Sequence, residues 1–306
     1  MFSSTSVLIT GGSGLLAVNW AVTIRERCAV VLGMHKRAVN LSGVQSDNIS
    51  LESVDSVQRA LDRWHPTAVI HTAGLTSVER CESDPTLAHH VNVELAENVA
   101  KACSLAGVSM VHISTDHLFS GKSTFVEEGE VVEPQNVYGI TKAAAEMSVL
   151  SIDPNALVIR TNFFGWGTSY RQSFSDWILS NISRGETVTL FTDVFYTPVF
   201  IASLVEVVHE LLAMRESGVF NVTGDERCSK YQFGVYVADQ FGFDRELLLA
   251  DSMATRQELV QRPLDMSLSN KKVCTLLGRS LGGGAVQVES LHRQQGRVAG
   301  KELGEL

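Results

Sequence analysis

The chain has 306 residues, 44% of them hydrophobic and 19% charged, with a formal net charge of −9. This balance excludes a disordered chain, leaves ample material for a buried core, and argues against a broad surface for nucleic acid or anionic membrane. An anionic ligand would need a local device to hold it. The five cysteines, Cys28, Cys81, Cys103, Cys228 and Cys274, are scattered and include no CxxC pair, so neither a disulfide framework nor a zinc site is expected. The histidines lack metal-ligand spacing, and no metal is expected. Met1 to Ser6 has no basic character and Val7–Ile9 is too short for a signal peptide or membrane span, so a cytoplasmic protein without a membrane partner is expected.

In chain order, Val7–Ile9 reads as a buried strand that runs straight into Thr10-Gly11-Gly12-Ser13-Gly14 and a helical stretch. Ala29–Met34 is a second strand, ending in His35-Lys36-Arg37. Val54–Trp64 has helical apolar spacing at Val54, Val57 and Leu61. Ala68–His71 is a strand, Val91–Leu105 a helix, Met110–Ser114 a strand, Tyr138–Leu150 a helix and Leu157–Arg160 a strand. Strands alternating with helices over about 150 residues predict βαβ units and a doubly wound parallel sheet of the Rossmann type. Beyond residue 165 the texture changes. Ile201–Met214 reads as an apolar helix, Val219–Val222 as one more strand, and Lys230–Asp251 and Met266–Leu277 as helices. The organisation expected is a dinucleotide domain over 1–165, with 190–224 returning to it. A smaller C-terminal substrate lobe spans 166–189 and 225–281, and 282–306 is a tail without regular structure. Within the lobe, Trp166, Tyr170, Phe174 and Trp177 suit either a ligand cover or a core, and Glu127-Glu128-Gly129-Glu130 reads as a solvated face.

Three motifs carry chemistry. Gly11-Gly12-Ser13-Gly14-Leu15-Leu16-Ala17 fits Gly-x-x-Gly-x-x-Ala between a strand and a helix. Glycines there let the backbone approach a pyrophosphate, whose charge meets the N–H groups of the helix N-terminus. An acid at the end of the second strand would suit the ribose of NAD. This chain has His35, Lys36 and Arg37 instead, which favours the 2′-phosphate of NADP(H). Tyr138 and Lys142 are four residues apart on a predicted helix, hence on one face. An ammonium beside a phenol stabilises the phenolate and makes the Tyr a competent proton donor to a carbonyl being reduced. Ser114-Thr115-Asp116 lies where a parallel strand ends, at the crevice where ligands collect in such sheets.

Together these residues resemble the extended short-chain dehydrogenase/reductase superfamily from about Val7 to Asn270. The resemblance rests on the loop Thr10–Ala17, His71-Thr-Ala-Gly74, Asn92 in Val-Asn-Val, and Tyr138-x-x-x-Lys142. Within the superfamily the chain looks most like the dTDP-4-dehydrorhamnose reductases, through Ile113-Ser-Thr-Asp-His-Leu-Phe-Ser-Gly121, Pro134-x-x-x-Tyr-Gly-x-x-Lys142, Arg160-Thr-Asn-Phe-Phe-Gly165, Thr197-Pro198 and Arg262-Pro263-Leu-Asp-Met-Ser267. The resemblance implies a catalytic triad of Thr115, Tyr138 and Lys142. It implies cofactor contacts from Gly11, Ser13, Gly14, Leu15, His35, Lys36, Arg37, Ala73, Gly74, Asn92, Ser114, Tyr138 and Lys142. Substrate contacts are implied from Asp116, Asn162, Phe163 and Arg262, with a nucleotide-linked 4-keto-6-deoxy sugar as substrate and a homodimer as the assembly. No Glu follows Asp116, which argues against a sugar 4,6-dehydratase. The resemblance leaves two other roles open: a different nucleotide-sugar epimerase or reductase, and a non-catalytic NADP-binding regulatory subunit like the β subunit of methionine adenosyltransferase.

Overall fold

The computed structural model describes residues 5–256, 259–295 and 298–306. Its first half runs β1 (Ser6–Thr10), α1 (Leu15–Ile24), β2 (Ala29–Met34), β3 (Gln45–Asn48), α2 (Val54–Trp64), β4 (Ala68–His71), α3 (Val78–Ser83), α4 (Pro85–His89), α5 (Leu95–Ala106), β5 (Ser109–Ile113) and α6 (Val137–Ile152). Then come β6 (Leu157–Arg160), β7 (Phe163–Phe164), α7 (Phe174–Ile182), β8 (Val188–Phe191), β9 (Phe195–Tyr196), β10 (Val199–Phe200), α8 (Ile201–Met214) and β11 (Gly218–Asn221). The chain closes with β12 (Cys228–Ser229), α9 (Lys230–Phe241), β13 (Leu248–Asp251), α10 (Lys271–Leu277), α11 (Gly284–Gln295) and α12 (Val298–Glu305).

The chain divides into two compact units. The first comprises 1–115, 136–159 and 208–219 and the second 116–135, 160–207 and 220–306. One seven-stranded sheet has the order β11-β6-β5-β4-β1-β2-β3. The pairs from β3 through β6 are all parallel. This is the doubly wound arrangement expected, with the order reversing beside β1. Near-continuous apolar strands such as β4 and the buried faces of α2, α5 and α6 make one core. It holds Leu8, Val31, Val57, Leu61, Val69, Val99, Met110, Val149 and Val158. Helix ends follow local chemistry: the Ser53 hydroxyl accepts from the Ser56 N–H at the start of α2, and α5 stops at Gly107 with φ +64°.

In the second unit, short strands pair two by two, β10 with β7, β12 with β9 and β13 with β8. Their core gathers around Phe164, Ile178, Leu190, Tyr196, Phe233 and Leu248. Phe174 stacks on Phe233 and on Trp177, and Trp166 meets Phe241 edge-on, so these aromatics are packing groups of the unit.

Several expectations are corrected here. The polar strand β3, Gln-Ser-Asp-Asn, has no hydrophobic alternation; it is held by pairing with β2 and by Asp47, which accepts from the Trp64 indole N–H at 2.7 Å and pairs with Arg63 at 3.2 Å. The helix expected over Lys230–Asp251 ends at Gly242, whose φ of +73° turns the chain toward β13. Of the helix expected over Met266–Leu277 only Lys271–Leu277 forms, because Asp265 and Leu268 bridge to Phe195 and Val126. The segment 282–306, expected to lack regular structure, carries α11, which buries Val288 and Leu291, and α12. Gly296 and Arg297, also within that expectation, lie outside the described residues. Segment 116–135 belongs to the second unit, and the return to the first narrows to 208–219. Glu128 is not a solvated side chain. Its carboxylate accepts from the Asn221 N–H at 2.9 Å, and its carbonyl accepts from the Arg160 guanidinium at 3.2 Å. Among the described residues, no helix is long and apolar enough to cross a membrane.

Candidate active site

In the first unit the glycine loop joins β1 to α1. Gly11 has φ +70°, and a Cβ there would lie 2.8 Å from the Ala73 backbone, so both conformation and space demand glycine. The Gly12 N–H donates to Gly33 O at 2.9 Å and the Gly14 N–H to Gly11 O at 2.7 Å, which fixes the loop's path. Gly14 is the N-cap of α1 and supplies no side-chain acceptor, and the first turn contains no acid. The N–H groups of that turn, Leu15 included, therefore present an uncompensated positive helix end. Ser13 and Leu15 are half-buried in the loop, while His35, Lys36 and Arg37 are exposed directly after β2. Ala73 lies against Gly11, and Gly74 is exposed. These residues suit a dinucleotide phosphate: a loop too tight for side chains, a bare helix end, and three basic groups at the neighbouring strand end.

Asn92 stands behind this loop. Its amide accepts from the Leu75 N–H at 2.7 Å and donates to Leu75 O and Thr141 Oγ1, and the residue is 1% exposed. It thus braces the Thr72–Leu75 turn against α6.

Ser114 and Thr115 follow β5 and are buried. The Ser114 N–H donates to Ile159 O at 2.7 Å, while its hydroxyl is buried with no hydrogen-bond partner. Helix α6 starts where Asn136 accepts from the Gly139 N–H at 2.9 Å and Glu82 accepts from the Val137 N–H at 2.8 Å. This places buried Tyr138 in the first turn and buried Lys142 one turn later. Lys142 Nζ donates to Ile113 O at 2.7 Å and lies 3.3 Å from His112 Nε2. Burial lowers its pKa to about 8, against the opposing pull of Glu146 one turn on.

The remaining predicted residues belong to the second unit. Asp116, 2% exposed, accepts from Asn162 Nδ2 at 2.5 Å, and the Asn162 carbonyl accepts from the Val199 N–H at 3.0 Å. Phe163 is half-buried in β7. His117 Nε2 is 4.0 Å from Asp116 Oδ1, and burial lowers the imidazole pKa, with Lys230 and Arg262 adding to that and Asp116 resisting. Arg262 therefore shares this polar cluster with Asp116 and Asn162.

Sequence reasoning missed Lys230 and Tyr196. The Lys230 ammonium sits 3.3 Å from the centroid of the Tyr196 ring and 5.0 Å from that of Phe174. Burial lowers its pKa to about 8, and Asp116 opposes this. The Tyr196 hydroxyl is buried without a partner. One signal was available: Lys230 is the first residue of a helix capped by Ser229, where the helix dipole disfavours a cation.

Comparison with known proteins identifies the family. A probable low-salt glycan biosynthesis reductase, Agl14 of Haloferax volcanii, is 30% identical over 276 residues, covering 89% of this chain and 92% of that one. A dTDP-4-dehydrorhamnose reductase of Aggregatibacter actinomycetemcomitans is 25% identical over 285 residues, covering 89% and 93%. In fold, the chain is similar to a dTDP-4-dehydrorhamnose reductase of Bacillus anthracis solved in complex with NADP. That match has a TM-score of 0.85 at 22% identity and covers 95% of this chain and all of the other. The model of the RmlD substrate binding domain matches residues 5–283, and the chain belongs to that family of the extended short-chain dehydrogenase/reductases.

Proposed function

We propose that this protein is an NADPH-dependent reductase of the 4-keto group of a nucleotide-linked 4-keto-6-deoxy sugar. The observation that carries the reading is the buried pair Tyr138 and Lys142 on α6, with Lys142 tied to the carbonyl at the end of β5, in the unit that also holds the glycine loop. The names of the relatives, a glycan biosynthesis reductase and a dTDP-4-dehydrorhamnose reductase, support the same chemistry.

In this reading the loop Gly11–Leu15 and the α1 N-terminus would hold the pyrophosphate of NADP(H), and His35, Lys36 and Arg37 its 2′-phosphate. The bound cofactor would supply the hydride to the carbonyl carbon. The Tyr138 hydroxyl would donate its proton to the carbonyl oxygen as charge develops there. The Lys142 ammonium would stabilise the phenolate left behind and hold a ribose hydroxyl. The Thr115 hydroxyl would donate to the same oxygen and orient the carbonyl. Asp116, Asn162, Phe163 and Arg262, with Lys230 beside them, would contact the sugar nucleotide.

The test is loss of NADPH absorbance with a dTDP-4-keto-6-deoxy sugar, read for wild type and Tyr138→Phe. Turnover that disappears in the variant is expected, and equal rates overturn the reading. Sugar inversion without net NADPH consumption would instead identify an epimerase. Tight NADPH binding without turnover of any keto sugar would identify a regulatory subunit.

A further inference from the structure

Three side chains of the first unit form a row that the proposed chemistry does not use. The sheet register pairs Thr10 of β1 with His71 of β4, and His71 with His112 of β5. Same-register neighbours in a parallel sheet project from the same face, so the three stand side by side near the strands' C-terminal ends. Thr10 Oγ1 and His71 Nδ1 are hydrogen-bonded at 2.9 Å. The two imidazoles stack with centroids 5.6 Å apart and planes inclined by 19°. His112 Nε2 then meets Lys142 Nζ at 3.3 Å. Thr10 immediately precedes the glycine loop, and its carbonyl accepts from the Thr72 hydroxyl at 2.7 Å. The row therefore connects the start of that loop to Lys142.

Both rings are at most 1% exposed, and each keeps one nitrogen, His71 Nε2 and His112 Nδ1, without a hydrogen-bond partner. A packing role alone does not account for this, since an apolar side chain would fill the same space without burying an unpaired polar atom. The electrostatics say what the row can be. An ammonium has donors and no acceptor, so His112 Nε2 must face it with a lone pair and carry its proton on Nδ1. Burial, and secondarily the Lys142 charge, lower the pKa of both imidazoles, His71 to about 3, so both rings are neutral at physiological pH.

We infer that His112 is a positioning residue for Lys142: its neutral Nε2 accepts one ammonium N–H, the Ile113 carbonyl accepts a second, and the third is left to point one way. His71 and Thr10 hold the His112 ring from behind. The inference rests on the reductase reading only in taking Lys142 to act with Tyr138; the contact itself does not depend on it. The titratable groups of the first unit around Lys142 are His112 and His71 on the strands, with Glu146 and Tyr138 one helical turn away on either side along α6.

The experiment is an NMR titration of protein isotope-labelled at the lysine ε-carbon, with the Lys142 and Lys230 signals assigned by Lys142→Arg and Lys230→Arg. An acceptor for the ammonium favours its charged form. His112→Leu should therefore lower the Lys142 midpoint by about one pH unit, and His112→Asn, polar but too short to reach, should do the same. His112→Gln, which returns an acceptor at similar reach, should restore it to within a few tenths. The alkaline limb of kcat should move with the midpoint in the same variants. An unmoved midpoint in folded His112→Leu or His112→Asn overturns the inference, as does a His112→Gln midpoint that falls as far as theirs. Absence of keto-sugar turnover in the wild type would sink the reductase reading and leave the lysine titration standing.

Discussion

Lys142 in the first unit, buried, and Lys230 in the second, half-buried, are both cations lowered to a pKa of about 8, and they are held by opposite means. Lys142 has two directed partners, a backbone carbonyl at 2.7 Å and an imidazole nitrogen at 3.3 Å. Lys230 lies on the faces of Tyr196 and Phe174, with Asp116 and Arg262 within electrostatic reach. Hydrogen bonds fix where an ammonium points, whereas ring faces fix only where it sits. The first environment suits a group that must address one atom, and the second suits a group that adapts to a ligand.

That contrast breaks first at the catalytic helix. Lys142→Met should lower kcat about a thousandfold in NADPH-oxidation assays, with Lys142→Arg no better, because the larger guanidinium cannot satisfy the Ile113 carbonyl and His112 in the ammonium's place. At residue 230 the conservative change should succeed. Lys230→Met should raise KM for the sugar nucleotide about tenfold, and Lys230→Arg should restore it, since a guanidinium stacks on the same two rings. If Lys230→Arg is as damaging as Lys142→Arg, the contrast is wrong.

Acid should weaken the first unit through its buried imidazoles. His71 has its pKa lowered from 6.5 to about 3 and His112 is lowered too, so the unfolded chain takes up protons that the folded one refuses. Stability fully present above pH 6.5 should fall as pH drops toward 3, by on the order of 4 kcal/mol for His71 at the acid end of that window. Urea melts of wild type and His71→Asn across that range would read it: the variant should lose less with acid, and parallel curves would refute the assignment. A further effect is expected at the solvated turn after β2. Arg37→Asp should shift the NADPH-to-NADH ratio of KM values about tenfold toward NADH, with stability untouched.

Much of the first unit was legible in the chain because its signals are local. A strand, a glycine turn and a helix are contiguous from Val7 to Ile24, and Tyr138 and Lys142 share one helix. The row Thr10–His71–His112 was not legible, since only the register of three strands far apart in sequence brings it together. The polar strand β3 had no pattern of its own to read. In the second unit the strands are mostly two residues long, too short for any period to register, and Lys230 gains its surroundings from Tyr196, Phe174 and Asp116 through tertiary packing. Helix α11 was masked by the glycines before it. Its start is fastened by side chains upstream, where Asp225 accepts from the Leu281 and Gly282 N–H groups and Glu226 from the Gly284 N–H at 2.9 Å.

This fastening sets an order for making the protein. Domains fold during synthesis once their parts have emerged. The first unit is not complete until 208–219 arrives, long after its glycine loop and Lys142. The second waits longer, since Val288 and Leu291 close its core and Gln287 accepts from the Phe200 N–H at 2.9 Å. The cluster of Asp116, Asn162 and Lys230 therefore matures late, only after Gln287, Val288 and Leu291 have emerged. A stop codon before residue 284 would leave Asp116, Asn162 and Lys230 on a second unit that lacks part of its core.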